Sequence, residues 1–276
     1  MIVMFFYIFL VVALRNKYIK QNKFKLVTAY TLIRNETISV FSDLIIVFIH
    51  IIEVAIITAI LKVFLKMKTV ERIKNTLRNK IYNYYLLTRR KQLKNKDFSL
   101  IASNCNGGYI LHDLNLPFNS PFVNLWIRPK DFIKMLSDFK NYMNKELSFT
   151  KEEGINYPVG LLGGEIKIYF MHYENEDDAK DKWERRKVRI NYENLFILFT
   201  DRDGCEYQDI VDYDNLPFSN KIIFTHKPYK QIQSAFYIKG FENCDSVGFC
   251  SEWMPTRFKK RYYDQFNYVK WFNNKR

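Results

Sequence analysis

Leu44 to Leu65 is a run of 22 residues with hardly a polar side chain in it. No other feature limits the fold of this chain so strongly. As a helix, such a run crosses a bilayer core of ~30 Å. Positions 44–61 include 13 Leu, Ile, Val or Phe, worth roughly −4 to −8 kcal/mol on an insertion scale, against roughly 3 kcal/mol for the Glu53 charge. His50 and Lys62 weaken the run further, although Lys62 can snorkel to the interface. The balance favours a membrane span; the competing arrangement is a helix or helical hairpin buried against a soluble domain. Met1–Leu14 is also apolar but short. Arg15, Lys17 and Lys20 follow it instead of preceding it, so it does not read as a secretory signal; it is expected to lie on the membrane surface.

Charge follows the same division. The formal net charge is +14, but residues 1–97 hold 18 Lys and Arg against 5 Asp and Glu, while residues 98–276 hold 25 against 24. A nucleic-acid reader carries its basic residues on the folded surface that docks. This chain concentrates them beside its apolar segments, which argues against nucleic acid and for a positive membrane flank facing anionic lipid. The chain therefore divides into an apolar region, 1–66, a basic helix or linker, 67–97, and a globular region, 98–276. Within the linker, Val70, Ile73, Leu77, Ile81 and Tyr84 recur at helical spacing, a stripe expected to dock on the globular domain.

From Phe98 onward strand and helix signals alternate. Apolar runs at 98–102, 122–127, 195–200 and 221–225 and an alternating run at 165–171 read as strands. Pro129–Lys145 and Glu174–Arg189 read as helices, and Ile210 belongs to a short helix or turn. That order predicts an α/β fold, a mainly parallel, Rossmann-like sheet with covering helices.

Chemistry gathers where predicted strands end. Phe98–Ala102 runs into Ser103, Asn104 and Cys105, then Gly107 and Gly108, at the kind of strand end where α/β proteins bind ligands. Cys105 and Ser103 are candidate nucleophiles, with Asn104 and the backbone at Gly107 as oxyanion donors. His172 follows another strand and is a candidate general base; His226 also follows a strand, and sequence does not choose between them. Arg185, Arg186 and Arg189 form a candidate phosphate clamp, though acidic neighbours at helical spacing can neutralise them. Trp183 reads as core or as a stacking face for a sugar. Asp201 and Asp203 could share a divalent metal, but Asp and Gly are also what a turn prefers. Four cysteines (105, 205, 244, 250) show no metal spacing and read as free thiols. P-loop, GxSxG, HExxH and dinucleotide GxGxxG motifs are absent, and no motif assigns a cofactor.

Taken together, Ser103–Gly108, Pro117–Asn124, Tyr157–Gly160, Phe170–Tyr173, Trp183–Asn191 and Thr200–Cys205 form an ordered set. It resembles the domain of unknown function 1919 family, many of whose members are labelled exopolysaccharide biosynthesis proteins. The family's opening motif usually carries two asparagines before the cysteine, where Ser103 and Asn104 stand here, and the apolar N-terminal region lies outside the resemblance. The resemblance implies an α/β protein of surface-polysaccharide assembly. The resulting expectation is a transferase moving a group, such as an acyl group, to a sugar or polysaccharide precursor from a phosphate-bearing donor. The alternatives are a metal-dependent glycosyltransferase using Asp201 and Asp203 and a non-catalytic membrane-anchored scaffold. The expected location is the bacterial inner membrane with the globular domain on the cytoplasmic side, or the cytoplasm if the N-terminal region is no span.

Overall fold

A computed structural model of the chain describes residues 26–256 and 258–274. The expectation for Met1–Leu14 lies outside them. Two compact units meet in sequence between Lys74 and Asn75.

Among the described residues, the first unit is helical, the opening part of α1 (Leu26–Gln92). From Leu44 onward this helix is long and apolar enough to cross a membrane, with a mean hydropathy of 2.8 in its most apolar window and none of that window buried. Ile45, Phe48, Ile52, Ile56 and Ile60 are all exposed. Apolar side chains lie on every side of this stretch. Its polar groups are also blunted. Thr58 donates its hydroxyl to the Val54 carbonyl over 2.7 Å, and His50 Nδ1 lies 3.4 Å from Glu53 Oε2 one turn on.

The second unit begins with the last turns of α1. The expected docking stripe is not the face that docks: Leu77, Ile81 and Tyr84 are exposed, as are Val70 and Ile73, while Tyr82 and Leu86 are buried. The docked face wins because it carries hydroxyls that a buried acid needs. Tyr82 and Tyr263 each donate to Asp113 Oδ2, over 2.7 and 2.6 Å, and Arg261 Nε stands 3.6 Å from the same oxygen.

Two four-stranded sheets follow. The first joins β1 (Ser99–Ala102), β6 (Leu195–Thr200), β7 (Lys221–Thr225) and β8 (Ala235–Tyr237) in that order, all parallel. The second joins β2 (Trp126–Ile127), β5 (Ile166–Tyr169), β4 (Val159–Leu162) and β3 (Leu147–Thr150), all antiparallel. The fold is α/β, yet only one sheet is parallel, and its order marches one way without the reversal of a doubly wound sheet. The antiparallel sheet is an insertion between β1 and β6, hooked to the first where the Ile127 N–H donates to the Ser103 carbonyl over 2.9 Å.

Strand alternation builds two cores. Ile101, Ile197, Phe199 and Ile223 face one cluster, with Ile166 and Ile168 of the inserted sheet, Phe132 and Met135 of α3 (Pro129–Ser137), Trp183 of α5 (Glu176–Lys187) and Ile210 of α6 (Tyr207–Asp214). Leu100, Ala102, Phe196, Leu198 and Phe224 face the other, against α2 (Asn106–Asp113) and the C-terminal α7 (Tyr268–Asn273). The stretch expected as one helix over 129–145 breaks at Asp138 (φ −140°, ψ 53°), and α4 (Phe139–Asn144) restarts beyond it.

Candidate functional site

Parallel pairing puts the carboxyl ends of β1, β6 and β7 side by side, so the segments after Ala102, Thr200 and Thr225 share one mouth. Asn104 donates its amide to Thr200 Oγ1 over 2.7 Å and accepts the Asn106 N–H. Beyond Thr200 the chain turns at Asp203 (φ 62°) and Gly204 (φ 85°), left-handed positions that Asp tolerates and Gly adopts freely.

At the centre of this mouth Asp201 meets His226. Asp201 is 3% and His226 6% exposed. Asp201 Oδ2 lies 2.6 Å from His226 Nδ1 and accepts the His226 main-chain N–H over 2.8 Å. Oδ1 accepts the Val247 N–H over 2.8 Å. With the carboxylate accepting throughout, Nδ1 carries a ring proton, and in the neutral ring Nε2 is the nitrogen left with a lone pair. Nε2 is buried and has no hydrogen-bond partner among the described residues. Trp183 Nε1, Ser234 Oγ and Arg261 Nε share that state among the described residues; His226 Nε2 differs in lying at the carboxyl ends of the parallel strands, beside a buried carboxylate.

Arg202 and Asp203 follow Asp201 in the chain; Cys205 feels the Asp201 charge, and Cys105 feels those of Arg202 and Asp203. Burial pushes the Cys105 thiol up, with the Arg202 charge pulling the other way. Burial, and the acidic neighbours led by Asp209 and Asp201, push Cys205 up strongly. Burial also raises the Asp203 carboxyl, which Arg202 opposes.

A family model described as a domain of unknown function (DUF1919) matches residues 73–273. The chain belongs to this family. An uncharacterized protein of Haemophilus influenzae is 46% identical over 208 residues, covering 75% of this chain and all of the relative. The DUF1919 domain coincides closely with the second compact unit, Asn75–Arg276, and contains the whole crevice. The apolar part of α1 lies outside it.

Against this geometry the site residues expected from the sequence separate. Cys105, Asn104, Asp201 and Asp203 gather at the crevice. His172 does not join them: it is exposed in the turn after β5, with no hydrogen bond or ion pair among the described residues. The histidine in place is His226, whose signal was its position directly after an apolar strand. Ser103 is buried, with its backbone bonded to Leu198 and Ile127, which suits a structural joint better than a nucleophile. Burial raises the Cys105 thiol and so disfavours the thiolate that would attack. Gly107 is a packing position: a Cβ there would stand 2.6 Å from the Ala102 Cβ.

The arginine trio also has a local explanation. Arg185 and Arg186 occupy the last turn of α5, whose first turn holds Glu176, Asp177 and Asp178 and whose cap is the Asn175 side chain. Acid at the start and base at the end complement the helix dipole. Arg185 pairs with Asp181 at 3.9 Å, and Arg189 lies exposed beyond the helix. Arg186 alone turns inward, donating to the Tyr173 hydroxyl over 2.8 Å, and the Cys105 thiol is close enough to raise Tyr173 further. Trp183 is 1% exposed and packs edge-on against Phe122 and Phe170, so it is core and not a sugar platform.

Asp201 fits a metal poorly because three donors already occupy its carboxylate. No group of three His, Cys, Asp or Glu with metal-holding geometry occurs among the described residues. A cavity of about 440 Å³ lies near the opposite end of the sheet, beside Leu195, Phe218 and Asn220. It lacks the Asp–His pairing, so the crevice remains the candidate.

Proposed function

We propose that this chain is a group-transfer enzyme of bacterial surface-polysaccharide biosynthesis, held at the inner membrane by α1 with its globular domain on the cytoplasmic side. The observation that carries the chemistry is the 2.6 Å Asp201–His226 pair with a free, buried Nε2. Asp201 fixes the ring and its tautomer. Nε2 accepts the proton of a sugar hydroxyl as its oxygen attacks the transferable group, and the imidazolium, steadied by Asp201, returns the proton to the leaving group. An acyl group is the favoured cargo. The parallel sheet with its mouth at the carboxyl ends supports this as a Rossmann-like binding site in function, despite its one-way strand order. The pathway rests on the family resemblance, and the membrane placement on the apolar helix and its basic flank.

Complementation of a deletion strain tests the reading, with polysaccharide composition and acylation as readouts. His226→Gln and Asp201→Asn should abolish the product modification while the protein still accumulates, whereas His172→Gln and Arg185→Gln should restore it. Full complementation by His226→Gln would remove the catalytic role. Loss only on deletion of residues 44–65 would favour a scaffold instead.

A further inference from the structure

The crevice contains a cation whose hydrogen-bonding capacity is unspent. Arg202 sits immediately beyond β6, next to Asp201. Its side chain is 18% exposed, and its Nη2 lies 3.7 Å from Asp203 Oδ1, beyond hydrogen-bond reach. Its guanidinium carbon stands 4.1 Å from the centroid of the Phe249 ring. Its guanidinium makes no hydrogen bond among the described residues and pairs with Asp203 by charge alone. Its nitrogens are not among the buried unpartnered atoms of the described residues, so the fork is open to solvent at the crevice and can meet an incoming anion bidentately.

The neighbours point to the ligand's class. Phe249 is a large aromatic left 56% exposed, with the guanidinium over its ring. A planar fork beside an exposed ring suits a phosphate joined to a flat or ring-shaped group. The nearby acids do not forbid this. Asp201 is occupied by three donors, and Asp203 stands beyond hydrogen-bond reach of the guanidinium, leaving its fork free. Arg185 and Arg186 are engaged by Asp181 and Tyr173 and Arg189 lies exposed beyond α5, which leaves Arg202 as the fork beside Asp201.

We propose that the donor bound in this crevice carries a phosphate or diphosphate gripped by Arg202, with its adjoining ring against Phe249. The proposal rests on the reading of Asp201 and His226 as the transfer base. Coenzyme A and a nucleotide-sugar both present this chemistry, and the test distinguishes them.

Calorimetry on the full chain in detergent, with inorganic pyrophosphate as the first probe, reads the phosphate contact. Wild type should bind saturably and Arg202→Gln at least tenfold more weakly, with an unchanged melting temperature. Arg202→Lys, which keeps the charge and loses the fork, should fall between them and serves if the glutamine variant misfolds. Coenzyme A and uridine diphosphate glucose are then titrated separately. The true donor class should bind more tightly than pyrophosphate and lose that advantage in Phe249→Ala; neither doing so would overturn the ring contact. Absence of pyrophosphate binding in wild type, or unchanged binding in Arg202→Gln, would overturn the proposal. His226→Gln should retain binding: if it also retains function, the base reading fails while the anion contact stands.

Discussion

Asn104 donates its side-chain amide to Thr200 Oγ1 over 2.7 Å, tying the ends of β1 and β6 together just before the two loops that carry Cys105 and Asp201. Both residues are buried, so the bond has no water to replace it. Asn104→Ala should cost about 1–3 kcal/mol, the penalty of leaving buried polar groups unmatched. A double-mutant cycle with Thr200→Val, read by denaturant unfolding, should show a coupling of about 1 kcal/mol. Strict additivity would mean the bond does not hold the mouth together.

Gly107 should tolerate no side chain. A Cβ at this position meets the Ala102 Cβ at 2.6 Å because α2 crosses close over β1. Gly107→Ala is expected to destabilise by about 1–3 kcal/mol, in the range of overpacked cores. Adding Ala102→Gly should recover part of that loss in thermal unfolding, since it removes the atom struck. An equally stable Gly107→Ala variant would contradict the packing role.

Glu165 should make stability acid-sensitive. Lys134 Nζ at 2.6 Å, Lys145 Nζ at 2.8 Å and the Tyr142 hydroxyl at 2.8 Å all bond its carboxylate, holding it down at about 2 from an ordinary 4.5. A carboxyl lowered on folding stabilises the protein above its unfolded pKa and loses that contribution as pH falls through the folded one. The advantage of wild type over Glu165→Gln, followed by denaturant midpoints, should therefore be full at pH 7 and shrink between about pH 4.5 and 2. An advantage that grew on acidification would have the wrong sign.

The strands β6 and β7 were legible to the residue, because continuous apolar runs bounded by turns leave little choice. The β3–β4 hairpin was not. Leu147–Thr150 and Val159–Leu162 are short, and their pairing depends on partners distant from the hydrophobic pattern of either alone. The place where these candidate residues meet was readable from Ser103–Gly108 and Thr200–Cys205, since the ends of neighbouring parallel strands must converge. Its membership was less so. His172 and His226 follow strands alike, and only sheet pairing shows that β7, not β5, lies beside Asp201. Arg185 and Arg186 looked like an anion clamp because helix-end charge and ligand-binding charge have the same composition. The α1 stripe misled for a related reason: spacing identifies an apolar face, but Tyr82 and Asp113 decide which face is buried.

The state of the His226 ring is the most direct test. Nitrogen NMR of the full chain with labelled histidine, assigned by loss of the signal in His226→Gln, reports which ring nitrogen carries the proton. The account predicts a protonated Nδ1 bonded to Asp201 and an unprotonated Nε2 at neutral pH, with that preference weakened in Asp201→Asn. A His226 that carries its proton on Nε2 and leaves Nδ1 bare would have no base to offer the crevice, and would contradict the account.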